Sequence, residues 1–181
     1  MTMPRGGSAE VAHVGQVIED GDGGRMIIRA TAEQTGGALY EFDWFIHPGQ
    51  RLAPHYHPNQ EEHFEGVSGT PHVMINGKRH ILRPGDHLAV PPGAYHTVGN
   101  PTAEVGHAIA AFRPAMNIHH FFVEFFEAFR TSRGLKRQVW VSKVLRRYPE
   151  FIKFRKPMQL LIAVLARLPI ASKRRTDLPP L

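Results

Sequence analysis

The amino-acid sequence contains no cysteine. This absence excludes disulfide bonds, zinc sites built on thiolates, and catalysis by a cysteine nucleophile. It is compatible with a reducing or an oxidising compartment, so it says little about location. Any metal site in this chain therefore lacks thiolate ligands.

The sequence also lacks a long apolar segment. Its best apolar stretch, residues 160–166, is far shorter than the roughly 20 residues that a membrane-spanning helix needs. Residues 1–24 are rich in glycine and acidic side chains and contain no apolar run of the length found in secretory signals. We therefore expect a cytoplasmic protein whose first 24 residues form a flexible segment.

Positive charge is scarce in the first part of the chain and abundant in the last. Residues 1–112 contain 7 Lys and Arg against 12 Asp and Glu, whereas residues 113–181 contain 15 against 4. No nucleic-acid recognition motif accompanies the basic segment, so we expect no nucleic-acid partner. A solvated basic face over packed helices is the simplest interpretation, and contact with an anionic membrane surface is the alternative.

Between residues 25 and 114 the sequence has the pattern of short β-strands separated by Gly and Pro turns. Strands are predicted over residues 26–28, 38–46, 72–75, 79–82, 87–90 and 107–112. Asn76 and Gly77 separate two of these strands, and both residue types tolerate the positive φ of a tight hairpin turn. The regular spacing predicts an all-β barrel or sandwich.

From residue 115 onwards a helical period replaces the strand pattern. Apolar residues recur at three- and four-residue intervals: Ile118, Phe121, Phe122, Phe125 and Phe129. This spacing predicts a helix that ends at Gly134. A second helix is predicted over residues 139–147, and a third has Pro157 in its first turn and runs to about residue 167. We thus predict a basic helical extension over residues 115–181, in which the last ten residues form a solvated tail.

Four side chains stand out as metal ligands. His55 and His57 lie two residues apart, so on a strand both project from the same face. Glu62 can return across a short turn to add an oxygen ligand, and His96 can complete the set from a separate strand. Three imidazoles and one carboxylate suit a divalent iron, manganese, nickel, copper or zinc ion and leave positions for water or substrate.

The spacing around these ligands resembles the two motifs of the cupin superfamily. The first motif, G-x5-H-x-H-x3,4-E-x6-G, is matched in full from Gly49 to Gly69. The second, G-x5-P-x-G-x2-H-x3-N, is matched in full from Gly85 to Asn100. The 15 residues between them, 70–84, are close to the shortest spacing that the family uses. Two motifs in the correct order form a specific signal.

The resemblance implies a jelly-roll β-barrel over about residues 25–113, with one metal held inside by His55, His57, Glu62 and His96. It also implies a small-molecule substrate or ligand. We interpret the protein as a metal-dependent enzyme, most simply an oxygenase, in which Glu62 acts as a catalytic base, as is proposed for some flavonol-cleaving cupins. The alternatives are a non-catalytic binding or sensing module and a metal-dependent isomerase or lyase.

The other carboxylate and imidazole side chains near the motifs are interpreted as lying outside the metal site. Counting back six residues from Gly69 selects Glu62 rather than Glu61 as the ligand, and strand alternation places Glu61 outside the barrel. The isolated histidines are interpreted as surface or hydrogen-bonded residues, with His107 the best candidate for a group that supports the ligands: His63, His72, His80, His87 and His107.

Two sets of aromatic residues are interpreted as core packing. The first set is predicted in or near the strands, and its alternative role is stacking on an aromatic substrate: Tyr40, Phe42, Phe45 and Tyr95. In the first helix, the alternatives are a cap over the barrel mouth and a contact between the subunits of a homodimer: Phe121, Phe122, Phe125 and Phe126.

Overall fold

The computed structural model describes residues 11–170. Within this range the strands are β1 Val17–Glu19, β2 Arg25–Ala30, β3 Tyr40–Ile46, β4 Glu61–Ser68, β5 His72–Ile75, β6 Lys78–Ile81, β7 His87–Val90, β8 His96–Gly99 and β9 Gly106–Arg113. The helices are α1 Ile118–Thr131, α2 Gly134–Arg147 and α3 Lys156–Leu165. The all-β jelly-roll barrel with a C-terminal helical extension is thereby confirmed.

The strands form two antiparallel sheets. One sheet has the order β1-β2-β3-β9-β4-β7, and the other has the order β6-β5-β8. The strands β4 and β8 thus belong to different sheets, and the barrel interior lies between them. This arrangement brings ligands that are distant in sequence to one place.

The barrel core follows the two-residue alternation of its strands. Along β3 every second side chain is buried, beginning at Tyr40 and ending at Ile46. Phe42 of this strand stacks on Phe112 of β9, with ring centroids 6.2 Å apart. The predicted hairpin is also present, because Asn76 and Gly77 have φ of 49° and 87° and connect β5 with β6.

The N-terminal part contains a strand that the sequence did not predict. Ile18 is buried, and β1 pairs with β2 in an antiparallel register. A three-residue strand among glycines and acidic residues carries too little periodicity to be found from sequence. The rest of the predicted flexible segment, residues 1–10, and the predicted solvated tail lie outside the described residues.

The first helix ends earlier than predicted. α1 ends at Thr131, and Gly134 is the first residue of α2 rather than the end of α1. Arginine side chains bind the carbonyl groups at the end of α1. Arg133 Nη1 donates to Phe129 O at 2.6 Å, and Arg137 Nε donates to Ser132 O at 2.9 Å. Guanidinium groups therefore satisfy carbonyl groups at the end of the helix, as a C-terminal glycine turn was expected to do.

Gln60 fastens the start of the extension to the barrel. Its side chain is fully buried, and Nε2 donates to the carbonyl oxygens of Pro114 at 2.9 Å and Ala115 at 3.2 Å. These carbonyl groups lie between β9 and α1, so the amide fixes the direction in which the extension leaves the barrel.

Gln60→Ala is expected to lower the free energy of unfolding by about 1–3 kcal/mol, because buried carbonyl groups lose their donor. Urea unfolding measures the change. Asn59→Ala is the matched control, since Asn59 makes one exposed hydrogen bond, to Glu150 O at 3.3 Å. Equal losses in the two variants would show that Gln60 does not have this anchoring role.

Candidate metal centre

The two histidines of the first motif lie in the segment between β3 and β4. The structure has no regular strand here: His55 forms an isolated bridge with His96, and Tyr56 forms one with Lys153. The backbone is nevertheless extended enough for the predicted alternation. His55 and His57 are both buried, while Tyr56 between them is half-buried. Both imidazoles therefore face the barrel interior.

The remaining two residues of the cluster come from regular strands. Glu62 is buried on β4 and His96 on β8. Glu61 projects to the other face of β4, where its carboxylate contacts His63. The alternation thus separates the two neighbouring glutamates as expected, and it brings only Glu62 to the cluster.

The four side chains converge on one point. One ligand atom from each of His55, His57, Glu62 and His96 lies within 4.8 Å of all the others. Glu62 Oε2 is 2.9 Å from His96 Nε2 and 3.4 Å from His57 Nε2. Two ligands on opposite sides of one ion are separated by about 4.2 Å, twice a bond of about 2.1 Å. The cluster therefore has the size of a single metal centre.

Backbone carbonyl groups fix the orientation of all three rings. The Nδ1 atoms lie 2.8 Å from Ala53 O for His55, 2.5 Å from Phe151 O for His57, and 2.9 Å from Ala94 O for His96. Because a carbonyl can only accept, each Nδ1 carries the proton and each Nε2 lone pair is directed elsewhere. Such outer hydrogen bonds are typical of metal-binding histidines.

Two nitrogen atoms of the cluster lack a suitable partner in the described part of the protein, and a cation would supply one. His57 Nε2 is buried and has no hydrogen-bond partner among the described residues. The lone pair of His96 Nε2 faces a carboxylate oxygen, which is favourable only when a proton or a cation lies between them. A divalent ion satisfies both atoms at once, so the donor set fits the expected metal.

The electrostatic environment distinguishes the residues of the cluster. Burial, with the nearby imidazoles of His57 and His96, lowers the pKa of His55 to about 3. Burial alone would raise the pKa of Glu62, but the neighbouring imidazoles of His57 and His96 lower it below its usual range. Burial lowers the pKa of His96, but the Glu62 carboxylate outweighs burial, so the net shift is upward. Glu62 is thus ionised and His55 neutral, which are the forms in which these side chains bind metals.

A cavity of about 480 Å³ adjoins the cluster. His55, His57 and Glu62 line one side, together with barrel residues such as Trp44 and Phe112. All three helices of the extension line the opposite side. The four phenylalanines that were interpreted as a packing stripe belong to the hydrophobic core or pack against it, and they also line this cavity: Phe121, Phe122, Phe125 and Phe126.

The extension also contributes directly to the ligand segment. The backbones of Tyr56 and Lys153 exchange two hydrogen bonds, of 3.0 and 2.9 Å. The carbonyl group that orients His57 belongs to Phe151, which lies between α2 and α3. Sequence reasoning missed Phe151, because a backbone acceptor is supplied by chain path and not by residue type.

The structure places His107 and Tyr95 away from the cluster. His107 was expected as a supporting group, but its Nε2 lies 2.8 Å from Asp43 Oδ1 and its ring stacks on Phe45. The outward position follows from strand alternation, since its neighbours Gly106 and Ala108 are both buried. Tyr95 lies under the guanidinium of Arg155, 4.4 Å from its ring centroid. Within residues 11–170, His55, His57, Glu62 and His96 form the one group with metal-site geometry.

Comparison with known proteins agrees with this architecture. Residues 42–112 match the family model described as Cupin domain. That range begins within β3 and ends within β9, and it contains all four residues of the cluster. Residues 42–112 therefore form a cupin domain, and the helical extension lies outside the matched range.

Individual relatives share only parts of the chain. A mannose-1-phosphate guanylyltransferase of Sinorhizobium fredii is 39% identical over 57 residues, which are 32% of this chain and 11% of that protein. An oxidoreductase of Arthrobotrys oligospora is 43% identical over 49 residues, which are 26% of this chain and 19% of that protein. The chain therefore matches a small fraction of either curated relative.

Among solved structures, an RmlC-like cupin of Shewanella frigidimarina has a TM-score of 0.51 and 22% sequence identity. The similarity covers 61% of this chain and 98% of that one. At this identity the comparison supports the barrel fold alone. In the described part of the chain, no helix combines the length and hydropathy needed to cross a membrane.

Proposed function

We propose that this protein binds one divalent transition metal through His55, His57, Glu62 and His96 and acts as an enzyme on a small organic molecule. The observation that carries the proposal is the geometry of the cluster: four buried ligand atoms within 4.8 Å, each imidazole held by a carbonyl group. Structural support of this kind keeps the donor atoms in place for a metal. The ligand types suit iron, manganese, nickel, copper or zinc.

The reaction class that we propose is an oxygenase-like oxidation. A bound redox-active metal would supply sites at which an organic substrate and dioxygen meet. The protein would orient the substrate in the cavity and exclude water from it. Glu62 is the proposed catalytic base, because it is the one carboxylate of the cluster and is kept ionised by its histidine neighbours. The oxidoreductase relative is consistent with this class, but it shares only 49 residues with the chain.

Two other functions use the same residues. A metal-dependent isomerase or lyase needs the same ligands and the same base, without consuming dioxygen. A binding or sensing module needs the ligands and the cavity but no base. Homodimer formation and contact of the basic extension with a membrane surface also stay predictions.

Oxygen uptake by the iron-loaded protein tests the reaction class. The probes are a catechol and a 1,3-diketone, with mass spectrometry of the mixture after incubation. We expect uptake and an oxidised product from the parent, no turnover from His57→Ala, and unchanged turnover from His107→Ala, whose imidazole contacts Asp43 outside the cluster.

Other results would redirect the proposal. A product of unchanged oxidation state, formed without oxygen uptake, would replace the oxygenase with an isomerase or lyase. Binding of a probe that mass spectrometry recovers unaltered under every metal would favour the binding module. Circular dichroism of each variant separates loss of activity from loss of fold.

A further inference from the structure

The cavity has two chemically different sides. The cluster occupies one side, where His55, His57 and Glu62 present nitrogen and oxygen atoms. The helices form the other side, which begins with five phenylalanines of α1 and continues with aliphatic residues such as Leu145 of α2 and Leu161 of α3. A molecule in this cavity therefore meets the polar atoms of the cluster at one end and mostly hydrocarbon elsewhere.

We propose that the ligand is an apolar organic molecule with a single oxygen-donor head group. The head group lies at the cluster, and the apolar body lies against the helical extension. The proposal names the substrate class of the site described above, so it rests on the proposed function.

The other polar residues of the cavity leave its lining largely apolar. Asp20 Oδ1 already accepts hydrogen bonds from the backbone N–H groups of Asp22 at 2.8 Å and Gly24 at 2.9 Å. Arg51 and Gln138 are exposed, and Ser142 of α2 contributes one buried hydroxyl group to the lining. A polyhydroxylated ligand would leave its hydroxyl groups unpaired against phenylalanine and leucine, whereas a hydrocarbon body needs no partners there.

The size of the cavity suits an organic ligand. The volume of about 480 Å³ falls within the roughly 300–1,000 Å³ of pockets that enclose organic ligands.

Calorimetry with two carboxylates tests the ligand class. The zinc-loaded protein is titrated with decanoate and with gluconate, which share the metal-binding group but differ in having a hydrocarbon or a polyhydroxylated body. We expect decanoate to bind at least about tenfold more tightly. Equal or tighter binding of gluconate would overturn the proposal.

Two neighbouring leucines of α3 provide matched variants. Leu161 lines the cavity and is 50% exposed, whereas Leu160 is 68% exposed and is not among the lining residues. Leu161→Gln is expected to weaken decanoate binding by roughly fourfold or more, the factor for one lost buried methylene. Leu160→Gln is expected to have no effect. The same change in both variants would contradict the placement of the apolar body against the extension.

The design separates this proposal from the metal proposal. If the parent takes up no zinc but still prefers decanoate and responds to Leu161→Gln, the metal proposal fails and the ligand class stands. If the parent takes up zinc but shows no preference for decanoate, the ligand class fails and the metal proposal stands.

Discussion

Glu124→Ala is expected to lower the free energy of unfolding by about 3–5 kcal/mol, because it leaves a partly buried guanidinium without its partner. Glu124 is buried on α1, where its carboxylate contacts Arg147 and accepts a hydrogen bond of 3.0 Å from Tyr148 Oη. Burial and this carboxylate raise the pKa of Tyr148, so the phenol stays protonated and donates. The interaction joins α1 to the end of α2.

The position of this interaction links stability to the metal centre. Tyr148 and Phe151 belong to the same turn, in which Phe151 N donates to Tyr148 O at 3.3 Å, and the Phe151 carbonyl orients His57. Loosening the turn removes the hydrogen bond that holds a ligand in place. We therefore expect Glu124→Ala to weaken metal binding by about 10-fold as well.

Urea unfolding and metal titration measure these two effects. Glu127→Ala is the matched control, since Glu127 lies one turn further along α1 and its carboxylate contacts Arg130 at the surface. A surface pair of this kind contributes about 0–1 kcal/mol. Glu124→Gln keeps an acceptor for Tyr148 and is expected to fall between the two. A loss as small as that of Glu127→Ala would show that Glu124 does not hold the extension in place.

Zinc is expected to raise the thermal midpoint of the parent protein and to have no effect on His57→Ala. At a free zinc concentration of about 100 times Kd, binding to the folded state alone stabilises it by about 2.7 kcal/mol. For a chain of 181 residues, this corresponds to an increase of roughly 5–10 °C. His57 is the informative residue, because its Nε2 is the buried ligand atom that has no partner among the described residues.

His107→Ala controls for a general effect of losing a histidine. Its imidazole contacts Asp43 outside the cluster, so this variant should keep the full increase. Thermal scans with and without zinc measure both variants. An increase that survives His57→Ala would place the zinc elsewhere on the protein and contradict the proposed centre.

Local rules predicted part of the cluster, whereas His96, which is distant in sequence, was assigned from the resemblance of the second motif. The spacing of His55 and His57 places both on one face, and alternation along β4 separates Glu62 from Glu61. The hairpin at Asn76 was predictable for the same reason, since its backbone conformation favours particular residue types. These features depend on residues that are close together in sequence.

The features that sequence reasoning missed depend on the path of the chain. The hydrogen bond between His57 and the Phe151 carbonyl spans 94 positions, and any residue type can supply a carbonyl. The phenylalanines of α1 were predicted to lie on one helical face, but periodicity does not tell what that face covers. The end of α1 was misplaced because arginine side chains, not Gly134, bind its last carbonyl groups.

Elemental analysis of the protein purified without an affinity tag tests the central claim most directly. The parent is compared with the double variant His55→Ala/His96→Ala. The proposed centre predicts close to one iron, manganese, nickel, copper or zinc ion per chain in the parent and none in the variant. Absence of metal from the parent, even after reconstitution, would contradict the claim that these four residues form a metal centre.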